Sequence, residues 1–314
     1  MSGEGTVAQL SALLIGLRVK GETPDEVAGV AGALRGAMVH LPAERPDDLV
    51  DTCGTGGGAI NTFNISTAAA LLAAGAGVRI AKHGNRSFTS QCGSADVLEA
   101  LGVPIDVSPA VMERALREAG IVFMFAPLMH PAMRHVGPVR RELGIPTVMN
   151  IVGPLANPAS AGRQVVGVAD ERRVPLIAGA LSALGTRHAL VVHGAPGMDE
   201  ISPLGPTQVI EIRDGSTREW MIDPARFGFP VGRVEELAGG PPAENAAAVL
   251  AVLEGRAPPT ARAAVLLNAA AALYVSGLAE GDFEGSLARV QAALDDGAGM
   301  AALERLRRAF APPQ

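Results

Sequence analysis

The chain opens with apolar residues at helical spacing, Val7, Leu10, Leu13, Leu14 and Leu17, set among polar positions, which predicts a helix. A second helix has an explicit start. Thr23 stands as its N-cap, Pro24 occupies the first turn, and Glu26 completes a capping box. The segment 41–48, Leu-Pro-Ala-Glu-Arg-Pro-Asp-Asp, then breaks helicity and reads as a linker. From Leu49 onward the period changes. Short runs rich in β-branched residues at 49–53, 78–81, 121–125, 148–151, 164–168, 188–193 and 208–212 predict strands. Ala- and Leu-rich helical patterns at 95–101, 109–119 and 174–184 lie between several of them. Such alternation predicts an α/β fold with a mainly parallel sheet covered by helices. A helix at 243–253, an apolar stretch at 261–275 and a terminal helix pair follow, and the closing Ala-Pro-Pro-Gln reads as frayed.

With 48% hydrophobic residues the chain can bury a substantial core, but only 3% are aromatic, so Ala, Val, Leu and Ile must build it around 38 glycines. Trp220 and Tyr274 are the sole members of their types. A net charge of −6 argues against a broad nucleic-acid or anionic-membrane surface. A local basic cluster in such a chain points instead to a discrete anionic ligand. Cys53 and Cys92 supply no disulfide framework and no metal-ligand spacing; they read as small buried hydrophobes in a reducing compartment. The longest apolar run, 68–78, is too short to span a bilayer and no charged-then-apolar leader opens the chain, so the expectation is a soluble cytoplasmic protein.

Candidate chemistry concentrates between Asp51 and Ser94. Gly54-Thr55-Gly56-Gly57-Gly58 follows a predicted strand, where glycines permit positive φ and let backbone amides approach an anion. An ordinary strand-to-helix turn would look the same, and the run matches neither a Walker A sequence nor a dinucleotide fingerprint. Asn61-Thr62-Phe63-Asn64-Ile65-Ser66-Thr67 then leads into an alanine-rich helix. One cap needs one such polar residue, and several crowd this helix start, which attracts phosphate through its free N–H groups and its dipole. After the next strand come Lys82-His83-Gly84-Asn85-Arg86-Ser87, three basic side chains in five residues at the carboxyl end of a neighbouring strand. Open α/β sheets bind ligands there. Ser90 and Ser94 extend the polar rim, and Ser94 is also placed to cap the following helix.

Two further segments matter. Asp199 and Glu200, within Met-Asp-Glu-Ile-Ser, follow the 188–193 strand; beside a phosphate site they suit Mg²⁺, which binds through one or two carboxylates plus substrate oxygens and water. The segment 130–141 carries too many prolines for one regular helix, and its Arg140 offers a bidentate fork to a carboxylate or a surface ion pair with Glu142.

Taken in order, GTGG, NTFNIST, KHGNRS, GSADVLEALG, PVRRELG, NIVGPLANP and MDEIS closely resemble the anthranilate phosphoribosyltransferase family, from about Gln9 to Tyr274. The resemblance implies a small N-terminal helical domain over 1–47, with segment 128–147 packed against it, hinged to a large α/β domain over 48–314. It implies a phosphoribosyl pyrophosphate site lined by Gly54, Gly57, Gly58, Thr62, Asn64, Ile65, Ser66, Thr67, Lys82, His83, Gly84, Asn85, Arg86, Ser87, Ser90 and Ser94, with the 82–90 loop closing over it. Anthranilate would sit against Gly54, His83, Asn85 and Arg140. Ser66, Asp199 and Glu200 would contact magnesium, two ions with substrate bound, and Lys82, Asn85 and Arg140 would carry the chemistry without an obligatory general base. The family also implies a homodimer. Two departures stand out: Gly58 replaces an Asp that often follows GTGG, and the chain begins near the family's second or third helix.

The function implied is transfer of the 5-phosphoribosyl group of phosphoribosyl pyrophosphate to anthranilate, giving N-(5-phosphoribosyl)anthranilate and pyrophosphate in L-tryptophan biosynthesis. A pyrimidine nucleoside phosphorylase-like enzyme is one rival, although its lysine–serine signature is missing here. A non-catalytic nucleic-acid-binding relative is the other, and the negative net charge weighs against it.

Overall fold

The computed structural model describes residues 3–87, 90–279 and 282–311, so all but Ala311 of the Ala-Pro-Pro-Gln end expected to fray lies outside the described residues. Helices α1 (Val7–Lys20) and α2 (Pro24–Arg35) each start on a capping box, Thr6 with Gln9 and Thr23 with Glu26. The apolar stripe of α1 is enclosed only at Leu14, while Val7 and Leu13 remain 54% and 56% exposed. The helix touches α7 (Met133–Leu143) along one side, which is narrower than the spacing suggested.

Seven strands form one sheet among the described residues: β1 (Val50–Gly54), β2 (Ile80–Gly84), β3 (Ile121–Phe125), β4 (Arg163–Gly167), β5 (His188–Gly194), β6 (Thr207–Arg213) and β7 (Ser216–Ile222). Their order is β3-β2-β1-β4-β5-β6-β7, parallel from β3 to β5 and antiparallel for β6 and β7. Strand β7 escapes the sequence reading because its first four residues, Ser216 to Glu219, are polar and exposed, as suits an edge. The signal for it was present in Asp214-Gly215, whose φ values of 47° and 81° make the two-residue hairpin turn. The strand predicted at 148–151 is instead a single 3₁₀ turn, Val148–Asn150. Thr147 Oγ1 accepts from Met149 N–H at 3.4 Å and Asn150 Oδ1 accepts from Thr147 N–H at 3.0 Å, so local side chains take the bonds a ladder would need. The 130–141 segment also departs from its reading, since Met133–Leu143 is one helix that carries Pro138 in its interior and forgoes a ladder bond there.

Connecting helices cover both faces of the sheet. One core packs Val165, Leu190, Val192 and Val209 against α3 (Ile65–Gly75) and α10 (Pro259–Ser276). Around these lie α4 (Ser94–Ala100), α5 (Pro109–Ala119), α9 (Pro242–Leu253), α11 (Phe283–Asp295) and α12 (Ala298–Phe310). Strand alternation sends Val166, Ala189, Val191, Ile210 and Ile212 to the other face, where α8 (Val174–Ala183) joins α2, α7 and Leu14 of α1. The N-terminal helices thus share a core with the back of the sheet. The short α6 (Ala126–Met129) links β3 to α7.

The far end of the sheet from the carboxyl termini of the parallel strands holds a buried carboxylate. Glu211 of β6 accepts from Tyr274 Oη at 2.9 Å, from Trp220 Nε1 at 3.0 Å and from Arg218 at 2.8 Å, and its Oε1 lies 3.0 Å from His188 Nε2. Both oxygens are satisfied. Although burial opposes ionisation, His188, then Arg218 and Tyr274, hold Glu211 down at about 2. A depressed carboxylate stabilises the fold above the ordinary range near 4.3 and loses that contribution as pH falls toward 2. Glu211→Gln should therefore cost about 3 kcal/mol at pH 7, with the gap to wild type narrowing between about pH 5 and pH 2. Denaturant unfolding across that range checks it; a gap independent of pH would refute the ionised network.

Candidate functional site

The site forms where β1, β2 and β4 end at Gly54, Gly84 and Gly167, beneath the acidic loop that follows β5. Close approach is what demands glycine here. A Cβ on Gly167 would lie 1.7 Å from Asp199 O, and one on Gly54 would lie 3.0 Å from Asp199 Oδ2. Beyond Gly54 the chain turns through Gly56 and Gly57 at φ +69° and +77°.

Both predicted anion donors are occupied, and by the same acidic pair. Asp199 Oδ2 accepts from Gly56 N–H at 2.9 Å, and Glu200 Oε1 accepts from Ser66 N–H at 3.2 Å in the first turn of α3. The neighbouring N–H groups are spoken for locally, Ile65 to Phe63 O at 2.7 Å and Thr67 to Asn64 O at 3.1 Å. A helix start and a glycine turn of this kind favour negative charge, and the protein's own carboxyl oxygens are the acceptors there. The expectation of free helix N–H groups needs that correction. Asn64 does not cap α3 with its side chain; its amide donates to Cys92 O at 3.2 Å and accepts from Asn245 Nδ2 at 2.9 Å. Gly58 leaves room for the pair, because a Cβ there would meet Asp199 Oδ1 at 3.0 Å.

Lys82 rises from β2 into the same crevice, buried, with its ammonium donating to Thr52 O, to Thr52 Oγ1 at 3.4 Å and to Ser66 Oγ at 3.3 Å. Burial pushes its pKa down while Asp51 and Glu200 pull it back up. Asp51, fully buried, accepts from Asn157 Nδ2 at 2.7 Å and His83 N–H at 3.1 Å, and burial raises it to about 6. Burial, then the neighbouring Asp199, raises Glu200 to about 8, and burial raises Asp199 as well. Two adjacent carboxylates are thus held where ionisation is disfavoured, with no ion pair from Lys82 to either among the described residues.

The three basic residues of 82–87 do not act as one cationic patch. His83 Nε2 lies 3.2 Å from His130 Nε2, and burial, then that neighbour, lowers His83 to about 3; His130 falls to about 4, again through burial. Both imidazoles are neutral at physiological pH. Arg86 turns to α4, meeting Asp96 and Glu99 at 2.6 Å each and lying over the Phe125 ring. Asp96 also accepts from Gly93 N–H at 2.8 Å and Ser87 N–H at 3.4 Å, which ties the two sides of the loop together. Ser87 and Ser90 pair through their hydroxyls at 2.7 Å; positions 88 and 89 of this loop lie outside the described residues. Ser94 is not the cap of α4, a position Gly93 fills, and its hydroxyl donates to Asn85 O at 3.3 Å. Asn85 Oδ1 accepts from Arg86 N–H at 2.7 Å.

Other predicted residues lie around this centre. Thr62 bridges to Ala238, Ile65 is core, and Thr67 is buried with its hydroxyl lacking a partner. Arg140, on α7, is half-buried, with its pKa lowered by burial. The ion pair with Glu142 does not form among the described residues. Sequence reading missed Asp51, Thr52, His130, Asn157, Asn245 and Asn268 as parts of the site. Their signal was available only in part: an Asp, an Asn or a His inside an otherwise apolar segment costs free energy unless something needs it.

Chemically, Asp199, Glu200 and the Ser66 hydroxyl form a hard oxygen donor set suited to magnesium. No group of three or more His, Cys, Asp or Glu could hold a metal among the described residues, so such an ion must draw its remaining ligands from substrate and water. A divalent cation would also remove the repulsion that raises Glu200.

Comparisons with known proteins match nearly the whole chain to one family. The glycosyl transferase family a/b domain matches residues 46–300, and the glycosyl transferase family helical bundle domain matches residues 1–38. Anthranilate phosphoribosyltransferase of Herpetosiphon aurantiacus is 50% identical over 307 residues, spanning 98% of this chain and 90% of its own length. That of Methylobacillus flagellatus is 48% identical, spanning 98% and 89%. Among solved structures, anthranilate phosphoribosyltransferase from Thermus thermophilus superposes with TM-score 0.92 at 41% identity, over 98% of this chain and 92% of that one. The Saccharomyces cerevisiae enzyme in complex with phosphoribosyl pyrophosphate and magnesium gives 0.86 at 28% identity, over 97% and 85%.

Gly167→Ala should displace the acidic loop, because backbone cannot yield as a side chain tip can, and should cost about 3 kcal/mol or more. An unfolding midpoint equal to wild type would show that the loop does not rest on β4 in this way.

Proposed function

This chain belongs to the anthranilate phosphoribosyltransferase family, and on that premise we propose how its own residues perform the transfer. Its reaction moves the 5-phosphoribosyl group of phosphoribosyl pyrophosphate onto the amino nitrogen of anthranilate, releases pyrophosphate, serves L-tryptophan biosynthesis and uses magnesium. Relatives about half identical along nearly the whole chain leave the nucleoside phosphorylase and nucleic-acid-binding rivals without support. For the residue roles, one observation carries the reading: two half-buried carboxylates sit on the very N–H groups an anionic substrate needs.

In this reading the pyrophosphate end docks against the Gly54–Gly58 turn and the start of α3 at Asn64–Thr67. Lys82, held beside Ser66 and Thr52, gives the leaving group a fixed positive charge that needs no reorganisation. Ser66, Asp199 and Glu200 would hold magnesium, two ions in this reading, and the bound metal would supply charge neutralisation for the leaving pyrophosphate. As the ribose carbon gains oxocarbenium character, the nitrogen of anthranilate attacks the opposite face. Asn85 and the neutral His83 orient that nitrogen without adding positive charge, and Arg140 grips the carboxylate. Catalysis rests on orientation and electrostatics.

The hinge division at 47 and 48, with segment 128–147 moving alongside 1–47, belongs to the same proposal, as does closure of the 82–90 loop. We also infer a homodimer, because α1 leaves Val7 and Leu13 of its apolar stripe at 54% and 56% exposure for a second copy to cover. A cytoplasmic location is consistent with two free cysteines, and no helix among the described residues is long and apolar enough to cross a membrane.

Arg140→Ala removes one charge-assisted pair, which predicts a 10- to 100-fold rise, roughly, in the Michaelis constant for anthranilate and little change for phosphoribosyl pyrophosphate. Steady-state kinetics with each substrate varied will decide; equal shifts in both constants would remove Arg140 from the anthranilate site. The double variant Asp199→Asn, Glu200→Gln should abolish activity at any practical magnesium concentration, and full activity there would end the metal assignment.

A further inference from the structure

We propose that Asn268 of α10 is the positioning residue that fixes the acidic pair in register with the start of α3, and so sets the affinity for magnesium. The inference rests on the metal role proposed above for Asp199 and Glu200.

α10 crosses the core with Ala, Val and Leu on almost every side from Ala261 to Val275, and Asn268 interrupts that run while being only 3% exposed. A primary amide is costly to bury unless its bonds are all made. Here they are made to one place. Asn268 Oδ1 accepts from Ile201 N–H at 3.0 Å and its Nδ2 donates to Ile201 O at 2.9 Å, with a further bond from Nδ2 to Ala264 O at 2.9 Å. The side chain therefore pairs with both polar groups of the residue after Glu200, as a strand partner would. Rotation or sliding of that residue would break two bonds in a dry site.

The clamp reaches the site through a short chain of contacts. Ile201 is covalently next to Glu200, and Glu200 Oε1 accepts from Ser66 N–H at 3.2 Å. Asn268, Glu200, Ser66 and Thr52 line one small cavity. Other backbone supports of the acidic loop come from its own side and from the glycine turn: Gly194 and Met198 exchange backbone bonds, Ser202 N–H donates to Thr207 Oγ1 at 2.9 Å, and Ala59 N–H donates to Gly197 O at 2.8 Å. Asn268 is thus the support that ties this loop to the core helix covering α3. With the backbone pinned, the two carboxylates keep side-chain freedom to leave the N–H donors for a cation.

Magnesium titrations of Asn268→Ala, Asn268→Asp and Asn268→Ser test this, with Asp199→Asn in parallel. The Asp variant keeps the volume and can accept from Ile201 N–H but cannot donate to Ile201 O; the Ser variant can serve one of the two bonds. The half-saturating magnesium concentration should rise about tenfold in the Ala and Asp variants and less in the Ser variant, at an unchanged Michaelis constant for anthranilate. The thermal stabilisation given by phosphoribosyl pyrophosphate at fixed low magnesium should shrink in the same order, a readout independent of turnover. A purely structural asparagine would lower stability and leave the magnesium half-saturation where it is, and that result overturns the proposal. If Asp199→Asn shifts magnesium dependence and the folded Asn268 variants do not, the positioning role alone fails; if Asp199→Asn does not shift it, the metal reading has failed first.

Discussion

The N–H groups of Gly56 and Ser66 are donors that the fold manufactures and then fills with its own carboxylates. One comes from a turn that needs positive φ, the other from the first turn of a helix whose dipole favours negative charge. Neither donor has a backbone partner to go to, so each must find an acceptor or be left exposed to whatever fills the crevice. Asp199 and Glu200 supply it at the cost of holding two half-buried acids side by side. Burial and mutual repulsion raise Glu200 to about 8, a measure of how poorly the arrangement tolerates full ionisation. A polyphosphate would take over the donors, and a cation would stabilise the displaced carboxylates. Substrate and metal would thereby be coupled, because each would remove the penalty that the other exposes.

That coupling needs a frame that does not move with it. The parallel strands deliver Gly54, Gly84 and Gly167 to one edge, and the absence of a Cβ at Gly167 lets Asp199 O come within 1.7 Å of where one would stand. Above this frame the side chains are free to exchange partners; below it the packing of α3 on α10 is built almost wholly from Ala, Val and Leu. Close helix packing through small residues brings the start of α3 and the acidic loop within reach of one asparagine. A core with more aromatics would hold these elements further apart.

Much of this was legible in the chain itself. Strand–helix alternation gave the sheet, and the crowding of Asn, Ser and Thr marked the helix start whose Ser66 N–H donates to Glu200. What escaped did so for physical reasons. Strand β7 is an exposed edge whose alternation carries charge on both faces, so only its Asp-Gly turn advertised it. The 148–151 run has strand composition, but Thr147 and Asn150 bond their own backbone and close a turn. Arg86 reads as a phosphate ligand until Asp96 and Glu99, ten and thirteen positions later, are seen to claim it. Asn268 and Asn157 contribute through residues far away in the chain, and no local pattern encodes such a partner.

Buried carboxylates at the two ends of this sheet show how stability and function separate. Glu211 has donors on both oxygens and is held near 2, so its ionised form strengthens the fold. Asp51, with Asn157 and a backbone N–H for company, is raised to about 6, and Glu200, with a neighbouring acid, to about 8. All three lie in the same sheet or on its connecting loops, so chain position alone does not set the difference. Burial raises all three, and the number of donors, together with the presence of a second negative charge, decides how far it is offset. Donors concentrate at one end, where the only Trp and Tyr of the chain and two basic residues converge on a single acid. At the other end the acids outnumber their partners, and that deficit is what a cation and a charged substrate can fill.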